Sequence, residues 1–571
     1  MRLIQAAIDH RKGKRRCRDG AGHRLSPRNT LFVVHVSLPL LPDWKRVCRE
    51  GLVLYRQIIS KTRISEGLGM LHCDQDGRRR WKWALGCGAA IFLMAPTVPS
   101  ALAKSVATTA SASIDRGKLA VLPDFIDGIL AQQIAQREVA GAVVTIVHRG
   151  KVVMTRGYGF ADVDKGLAVD GQHTLFRPGS VSKLFTWVAL MQQVEAGKVD
   201  LDADVNHYLD YEIPPFQDKP IRVRDLFAHA VGMSDLSYAE GEWEKEETYQ
   251  SFLKTHIPQR LWAPGGEISY SNYGASLAGY IVERVSGEAF PDYVERHIFQ
   301  PLGMMATTFR EPLTGEKAAH MALGYALVDG RFTPKPYERY DKIMPAGSAA
   351  STAPDMARFM LAMLGNGAFN GARILKPDSV HFLESNSIAN APGLPGMAHG
   401  FMVAREAGPR LVGHGGNTMD FHSYLLLAPE AEFGFFVSMT GGQGSYGART
   451  ELSDAVIGRL FPQAPAARWT QAGAKPPVGA YRVNRRDYNK PADPAGDLKV
   501  SIQGEHGLLV EGQGRKSYWE QIGPALYEQV TGARIGGPYD RLLFYGAPGD
   551  PRMSFGAQPH VTYHLVSPSR K

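Results

Sequence analysis

In RPGSVSKLF (177–185), Ser180 and Lys183 sit three positions apart. The apolar stripe Val181, Leu184, Phe185, Val188 and Met191 predicts a helix that begins at or near Ser180, with Gly197 as its C-terminal cap. Residues i and i+3 share a helix face, so the two heads can meet. A helix start also carries unpaired N–H groups and partial positive charge. The Ser180 N–H can therefore help hold an oxyanion. Apolar neighbours would desolvate Lys183 and lower its pKa into the range of a base. This combination suits attack of a serine oxygen on an acyl carbon. Spacing alone does not establish it: at roughly 7% Ser and 6% Lys, a chain this long holds about two such pairs by chance. A second pair, Ser251 and Lys254, is read as surface helix.

Further residues could complete the chemistry. Tyr270-Ser271-Asn272 precedes a helix with apolar Leu277, Ile281 and Val285. A tyrosine there can exchange a proton with a lysine, and Asn272 can hydrogen-bond Lys183 and a substrate amide. LVGHGGN (411–417) leads to a strand from Phe421. After His414, Gly415 and Gly416 let a substrate approach the backbone closely. The N–H of Asn417 is a candidate second oxyanion donor.

In this order, SVSK, YSN and HGG resemble the motifs of the penicillin-recognising serine hydrolases, nearest to the branch of class C β-lactamases, related esterases and D-aminopeptidases. The flanks LFRPGSVSKLFTWVALMQQVEAGKVDLD and PGGEISYSNYGASLAGYIVERVSG, and PAGSAASTAPDMARFM (345–360), share the resemblance, which covers roughly 120–461. It implies Ser180 as the acylated nucleophile, Lys183 and Tyr270 as the proton-shuttling pair, and Asn272 as the group orienting lysine and substrate. His414 would contact the substrate or the Tyr270 hydroxyl. Gly416 would line the substrate, and the N–H groups of Ser180 and Asn417 would form the oxyanion hole. The substrate so implied is an amide or ester, a small peptide or D-amino-acid derivative. A β-lactamase or carboxylesterase is an alternative, and a penicillin-binding sensor or envelope-binding module with little turnover is another. The chemistry requires no cofactor and no metal.

Two departures bear on the substrate. The third motif is HGG instead of Lys-Thr-Gly, and a histidine titrating near neutrality suits a carboxylate less than a permanent cation does. HGG and an additional C-terminal β-domain are both similar to what D-aminopeptidases show. RDLFAHAVGMSD (224–235) also departs from the family's usual wording, and His229 within it is read as structural. Other catalytic patterns are absent: there is no Gly-x-Ser-x-Gly and, among 18 histidines, no His-Glu-x-x-His. GNGAFNG (365–371) is read as a turn.

These residues need a frame. DFIDGILAQQIAQREV (124–139) predicts an amphipathic helix, and AGAVVTIVHRGKVVMTRGYG (140–159) a hairpin about Arg149-Gly150. FHSYLLLAP (421–429) and FGFFVSMT (433–440) predict two more strands, and TELSDAVIGRLF (450–461) a helix. Strands near both ends with a mostly helical insertion indicate an α+β fold whose antiparallel sheet unites both ends of the chain, and the resemblance implies that it is of the β-lactamase/transpeptidase type, with the sheet flanked by helices. This serine hydrolase domain is placed at 104–461, with KSVATTASASI (104–114) as lead-in. A Pro/Ala-rich linker follows at 462–477. The remainder, 478–571, with short runs such as DLKVSI, RLLFYG and VTYHLV, reads as a small all-β domain, sandwich or barrel.

The net charge of +9 belongs to the N-terminal segment alone. Residues 1–103 hold 19 Lys+Arg against 7 Asp+Glu, leaving 46 against 49 for 104–571. The main chain therefore gives no electrostatic case for nucleic acid. Cys17, Cys48, Cys73 and Cys87 also precede residue 104, which excludes thiol or disulfide chemistry beyond it. GRRRWKW, ALGCGAAIFLMA and PTVPSALA read as the basic, apolar and cleavage regions of a signal peptide at 70–103. Export to the periplasm or medium is expected, with no stable membrane span after cleavage. Residues 1–69 are read as a non-native or disordered extension, with Met70 as the start. The expected partner is the small-molecule or peptide substrate.

Overall fold

The structure is a computed structural model that describes residues 113–236, 247–406, 408–471, 475–512, 514–531 and 539–566. The segments read as an extension and a signal peptide lie outside the described residues.

After a short helix at Arg116–Ala120, α1 spans Leu122–Ala135. It ends earlier than its apolar pattern suggested, because Arg137 turns the chain with a φ of 59°. Strands β1 (Gly141–His148) and β2 (Lys151–Asp162) follow. Arg149 and Gly150 both have positive φ, 49° and 72°, the geometry whose twist matches a tight two-residue hairpin. Near the other end of the domain lie β3 (Leu411–Asn417), β4 (Phe421–Ala428) and β5 (Phe433–Thr440). Among the described residues nine strands form one antiparallel sheet. Its order is 167–168, β2, β1, β5, β4, β3, 402–405, 397–398, 386–388. β1 pairs with β5 from Gly141↔Thr440 to His148↔Phe433, so the sheet unites early and late parts of the chain.

α2 (Lys183–Glu195) is buried on nearly every side, consistent with its dense apolar sequence. Leu184, Phe185, Trp187 and Val188 are all 0% exposed, each contributing about 1.5–3 kcal/mol by burial. α3 (Asn272–Ser286) packs across α2. It begins where the Ser271 hydroxyl accepts from the Gly274 N–H and ends at Gly287, whose φ is 77°. At Gly279, α3 touches the 344–347 segment so closely that a Cβ would come within 2.4 Å of Pro345. The last helix, α4, runs from Gln443 to Leu460 and starts earlier than its glycine-rich first turns implied. Packing of its Ala448, Leu452 and Val456 against α1 and the sheet overrides that low propensity.

The C-terminal part closes eight antiparallel strands, from Gly479–Val483 to Tyr563–Leu565, into a barrel around Tyr481, Trp519, Tyr527, Leu542 and Phe544. The preceding Pro/Ala-rich stretch runs along it, with the Trp469 N–H donating to the Gln521 carbonyl. The barrel docks on the preceding α+β domain around the buried carboxylate of Glu267. That carboxylate accepts from Asn484 Nδ2 at 2.6 Å and lies 3.1 Å from Arg552 Nη1 and 2.9 Å from His564 Nε2.

Candidate active site

Ser180 stands on a single 3₁₀ turn, Gly179–Ser182, so the α-helix proper begins at Lys183 and not at the serine. Gly179 makes this turn possible. Its φ is +55°, and a Cβ there would lie 2.8 Å from the Asn417 backbone nitrogen. Gly416 answers from the other side, where a Cβ would lie 1.8 Å from the Pro178 carbonyl oxygen and 3.2 Å from the Ser180 nitrogen. Bare backbone at both positions brings the end of β3 against the serine turn. The two predicted oxyanion donors, Ser180 and Asn417, are thus neighbours. Arg449 of α4 steadies this edge by donating to Asn417 Oδ1 at 3.3 Å and to the Ser423 carbonyl at 2.9 Å.

Lys183 is 0% exposed. Its Nζ lies 3.1 Å from Ser180 Oγ, 2.8 Å from Asn272 Oδ1 and 2.7 Å from the Ala346 carbonyl oxygen. Burial, and secondarily the positive charge of Arg485, hold its pKa well below the ordinary lysine value, with Asp235 opposing. A neutral amine has two hydrogens and one lone pair. The carbonyl oxygens of Asn272 and Ala346 can only accept, so they take both hydrogens. The lone pair is left facing Ser180, whose hydroxyl can then donate to it. Asn272, first residue of α3, and Ala346, held by the Gly279–Pro345 contact, therefore aim the lysine.

Tyr270 is buried, with its ring 4.8 Å from Lys183 Nζ. Burial raises its phenol above the usual range, opposed by the Ser180 hydroxyl and by Arg485. It is a proton donor, not a phenolate. Its ring stacks on His229 at 4.3 Å between centroids. His229 Nδ1 accepts from the Ser271 N–H at 3.1 Å, and the His229 carbonyl from the Ser269 N–H. His229 thus shapes the loop carrying Tyr270 and Asn272.

His414 is 1% exposed and its ring centroid lies 5.9 Å from that of Tyr270. Its Nδ1 is 2.6 Å from the Gly415 carbonyl oxygen, which assigns the proton to Nδ1 and leaves Nε2 an acceptor. That Nε2 and the Tyr270 hydroxyl are both buried without a hydrogen-bond partner, an arrangement that suits groups reserved for a substrate. Burial above all pushes His414 down to about 3. It is a neutral imidazole.

Two groups that sequence reasoning missed come from the barrel. The His560 carbonyl accepts from the Tyr270 N–H at 3.0 Å, and the Arg485 guanidinium lies 4.7 Å from the Tyr270 ring centroid. Arg485 Nε is 3.0 Å from Asp235 Oδ2, and the Asp235 N–H donates to the Arg486 carbonyl. Nothing in RVNRRDYN (482–489) marked Arg485 beyond a paired charge after a strand. Its role depends on a contact between domains that local pattern does not encode.

The beta-lactamase family model matches residues 126–459. The chain is similar to Protein flp of Staphylococcus aureus strain N315, 26% identical over 326 residues that cover 55% of this chain and 62% of that protein. Less than two thirds of that relative's length is therefore spanned. Among solved structures it is similar to SurE (TM-score 0.57, 21% identity, 79% of this chain and 99% of that one). It is also similar to the octameric penicillin-binding protein homologue from Pyrococcus abyssi (TM-score 0.52, 22% identity, 77% and 99%). At these identities the two structures speak to the fold alone.

Proposed function

The chain belongs to the beta-lactamase family of serine hydrolases, and on that premise we propose that it is an exported hydrolase forming an acyl-enzyme at Ser180 from a small amide or ester, a small peptide or D-amino-acid derivative. The observation that carries this reading is the buried Lys183 amine, whose Nζ lies 3.1 Å from Ser180 Oγ and within hydrogen-bond distance of Asn272 Oδ1 and the Ala346 carbonyl oxygen.

In this mechanism Ser180 Oγ attacks the acyl carbon as its proton passes to Lys183. Negative charge on the former carbonyl oxygen is met by the N–H groups of Ser180 and Asn417. Tyr270 gives its proton to the departing amine or alcohol and regains one from the Lys183 ammonium. Water then attacks the ester, with the same groups returning the proton. His414 Nε2, an acceptor, fits a substrate N–H or O–H or the Tyr270 hydroxyl. A neutral imidazole offers no fixed charge to the carboxylate of a β-lactam, which supports an amide or ester over a penicillin as substrate. Arg485 and His560 crowd Tyr270 from the barrel, which supports a small substrate.

The test is to incubate the purified protein with a fluorescent penicillin, a D-alanine anilide and a short-chain nitrophenyl ester, following intact mass and turnover. Turnover of the anilide or ester, lost in Ser180→Ala, is expected. A folded protein with neither adduct nor turnover refutes the proposal, and a lasting penicillin adduct without turnover replaces it with a binding protein.

A further inference from the structure

Behind the serine turn lies a cavity of about 240 Å³ that contains none of Ser180, Lys183, Tyr270 or His414 in its wall. At about 30 Å³ per water, it has room for about eight water-sized groups. Two segments that frame the catalytic centre bound it: Arg177, which leads into Ser180, and the turn 418–421, which follows Asn417. Pro312, Leu313 and Met321 give it an apolar side. Opposite them are carboxylates.

Asp420 is 2% exposed, yet its Oδ2 has no hydrogen-bond partner. The group is held in place. The Asp420 N–H donates to Thr418 Oγ1, and a Cβ on Gly324 would lie 2.5 Å from Oδ2, so the carboxylate rests against bare backbone. Glu338 Oε1 accepts from the Met419 N–H at 2.7 Å and from the Tyr340 hydroxyl at 3.3 Å, while its Oε2 is buried without a partner. Of the two cations in the wall, Arg177 is paired with Glu311, and Lys335 lies 3.7 Å from Asp420 Oδ1. Among the described residues no cation pairs with Glu338. Burial and the nearby Glu338 accordingly push Asp420 up to about 6, with Lys335 opposing.

We propose that this cavity is a binding site for a small organic monocation, an ammonium group on an apolar stem, held by Asp420 Oδ2 and Glu338 Oε2 with its stem along Pro312, Leu313 and Met321. Two orphaned carboxylate oxygens exclude an anion. Among the described residues no group of three or more His, Cys, Asp or Glu could hold a metal, and an apolar wall has nothing to offer a hydrated ion. A primary ammonium supplies one charge and directed N–H donors, and its hydrocarbon stem matches the remaining wall.

The experiment is calorimetric titration of the full protein with n-pentylammonium, 1-pentanol and pentanoate. Pentylammonium is expected to bind, and the two isosteres at least about tenfold more weakly, as fits loss of a charge-assisted hydrogen bond. Asp420→Asn and Glu338→Gln, which keep shape and remove charge, should each weaken pentylammonium by about tenfold or more. Lys335→Met, which removes the competing cation, should strengthen it, and Ser180→Ala should leave it unchanged. Circular dichroism checks that each variant is folded. Should Asp420→Asn not fold, Glu338→Gln and the three-ligand comparison on the parent decide. The proposal is overturned if pentylammonium does not bind, if pentanol binds as tightly, if the folded carboxamide variants keep full affinity, or if Ser180→Ala abolishes binding.

Discussion

The same four-residue pattern occurs twice in this chain with opposite outcomes. Ser251 and Lys254 lie on the exposed face of a short helix, Tyr249–Thr255. There the Ser251 hydroxyl donates to Glu247, and Lys254 donates to Asp210 at 2.7 Å. That hydrogen bond to Asp210 holds the Lys254 pKa above its ordinary value. At Ser180 the lysine is 0% exposed, faces two neutral acceptors and is held well below the ordinary lysine pKa by burial. One lysine is a surface cation and the other a buried base. The motif is therefore inert as a string. Burial, and acceptors that cannot donate, turn an ammonium into a nucleophile's partner.

Four sets of substitutions probe that contrast. The largest effect belongs to Ser180→Ala, expected to lower kcat/KM by about 10⁴-fold or more on any accepted substrate. Next is Lys183→Met, expected to cost roughly 10²–10⁴-fold in kcat. The same variant tests the pKa. A lysine whose folded pKa lies below its unfolded one binds fewer protons when folded, so stability gains as pH rises through that window. Denaturant unfolding across alkaline pH should show this gain in the parent and its absence in Lys183→Met. A smaller effect is expected from Arg485→Ala. The arginine lowers the Lys183 pKa, so its removal should move the acidic limb of the kcat/KM–pH profile to higher pH while turnover persists. An unmoved limb would detach the barrel from the base. The smallest changes are expected at the other pair. Ser251→Ala and Lys254→Met should leave kcat/KM within about twofold and stability within about 1 kcal/mol, as exposed pairs do.

Much of the frame was legible. The β-branched run before Arg149-Gly150 and the leucine- and aromatic-rich runs at 421–428 and 433–440 announced the strands, because central strands buried on both faces select such residues. The apolar face of Leu277, Ile281 and Val285 announced α3. What local pattern could not carry was contact at a distance. The Ser180 turn is 3₁₀ because Gly179 must admit the Asn417 backbone, a neighbour far along the chain. α4 reaches back over Gly-Ser-Tyr-Gly because packing outweighs propensity. Ala346 acts through its carbonyl, which no side-chain motif reveals. Arg485 and His560 reach Tyr270 only through the docking of the barrel at Glu267. The legible parts were those dictated by neighbours within a helical turn or a strand.

The pairing of β1 with β5 has a consequence for how the molecule is made. β1 is among the first strands to leave the ribosome and β5 among the last of its domain, so the central ladder cannot close until nearly the whole domain has been synthesised. Until then the Ser180 turn lacks the β3 edge that Gly179 and Gly416 allow it to meet, and the Asn417 N–H is not yet beside it. In the proposed mechanism an unfinished copy therefore carries Ser180 and Lys183 without the second oxyanion donor.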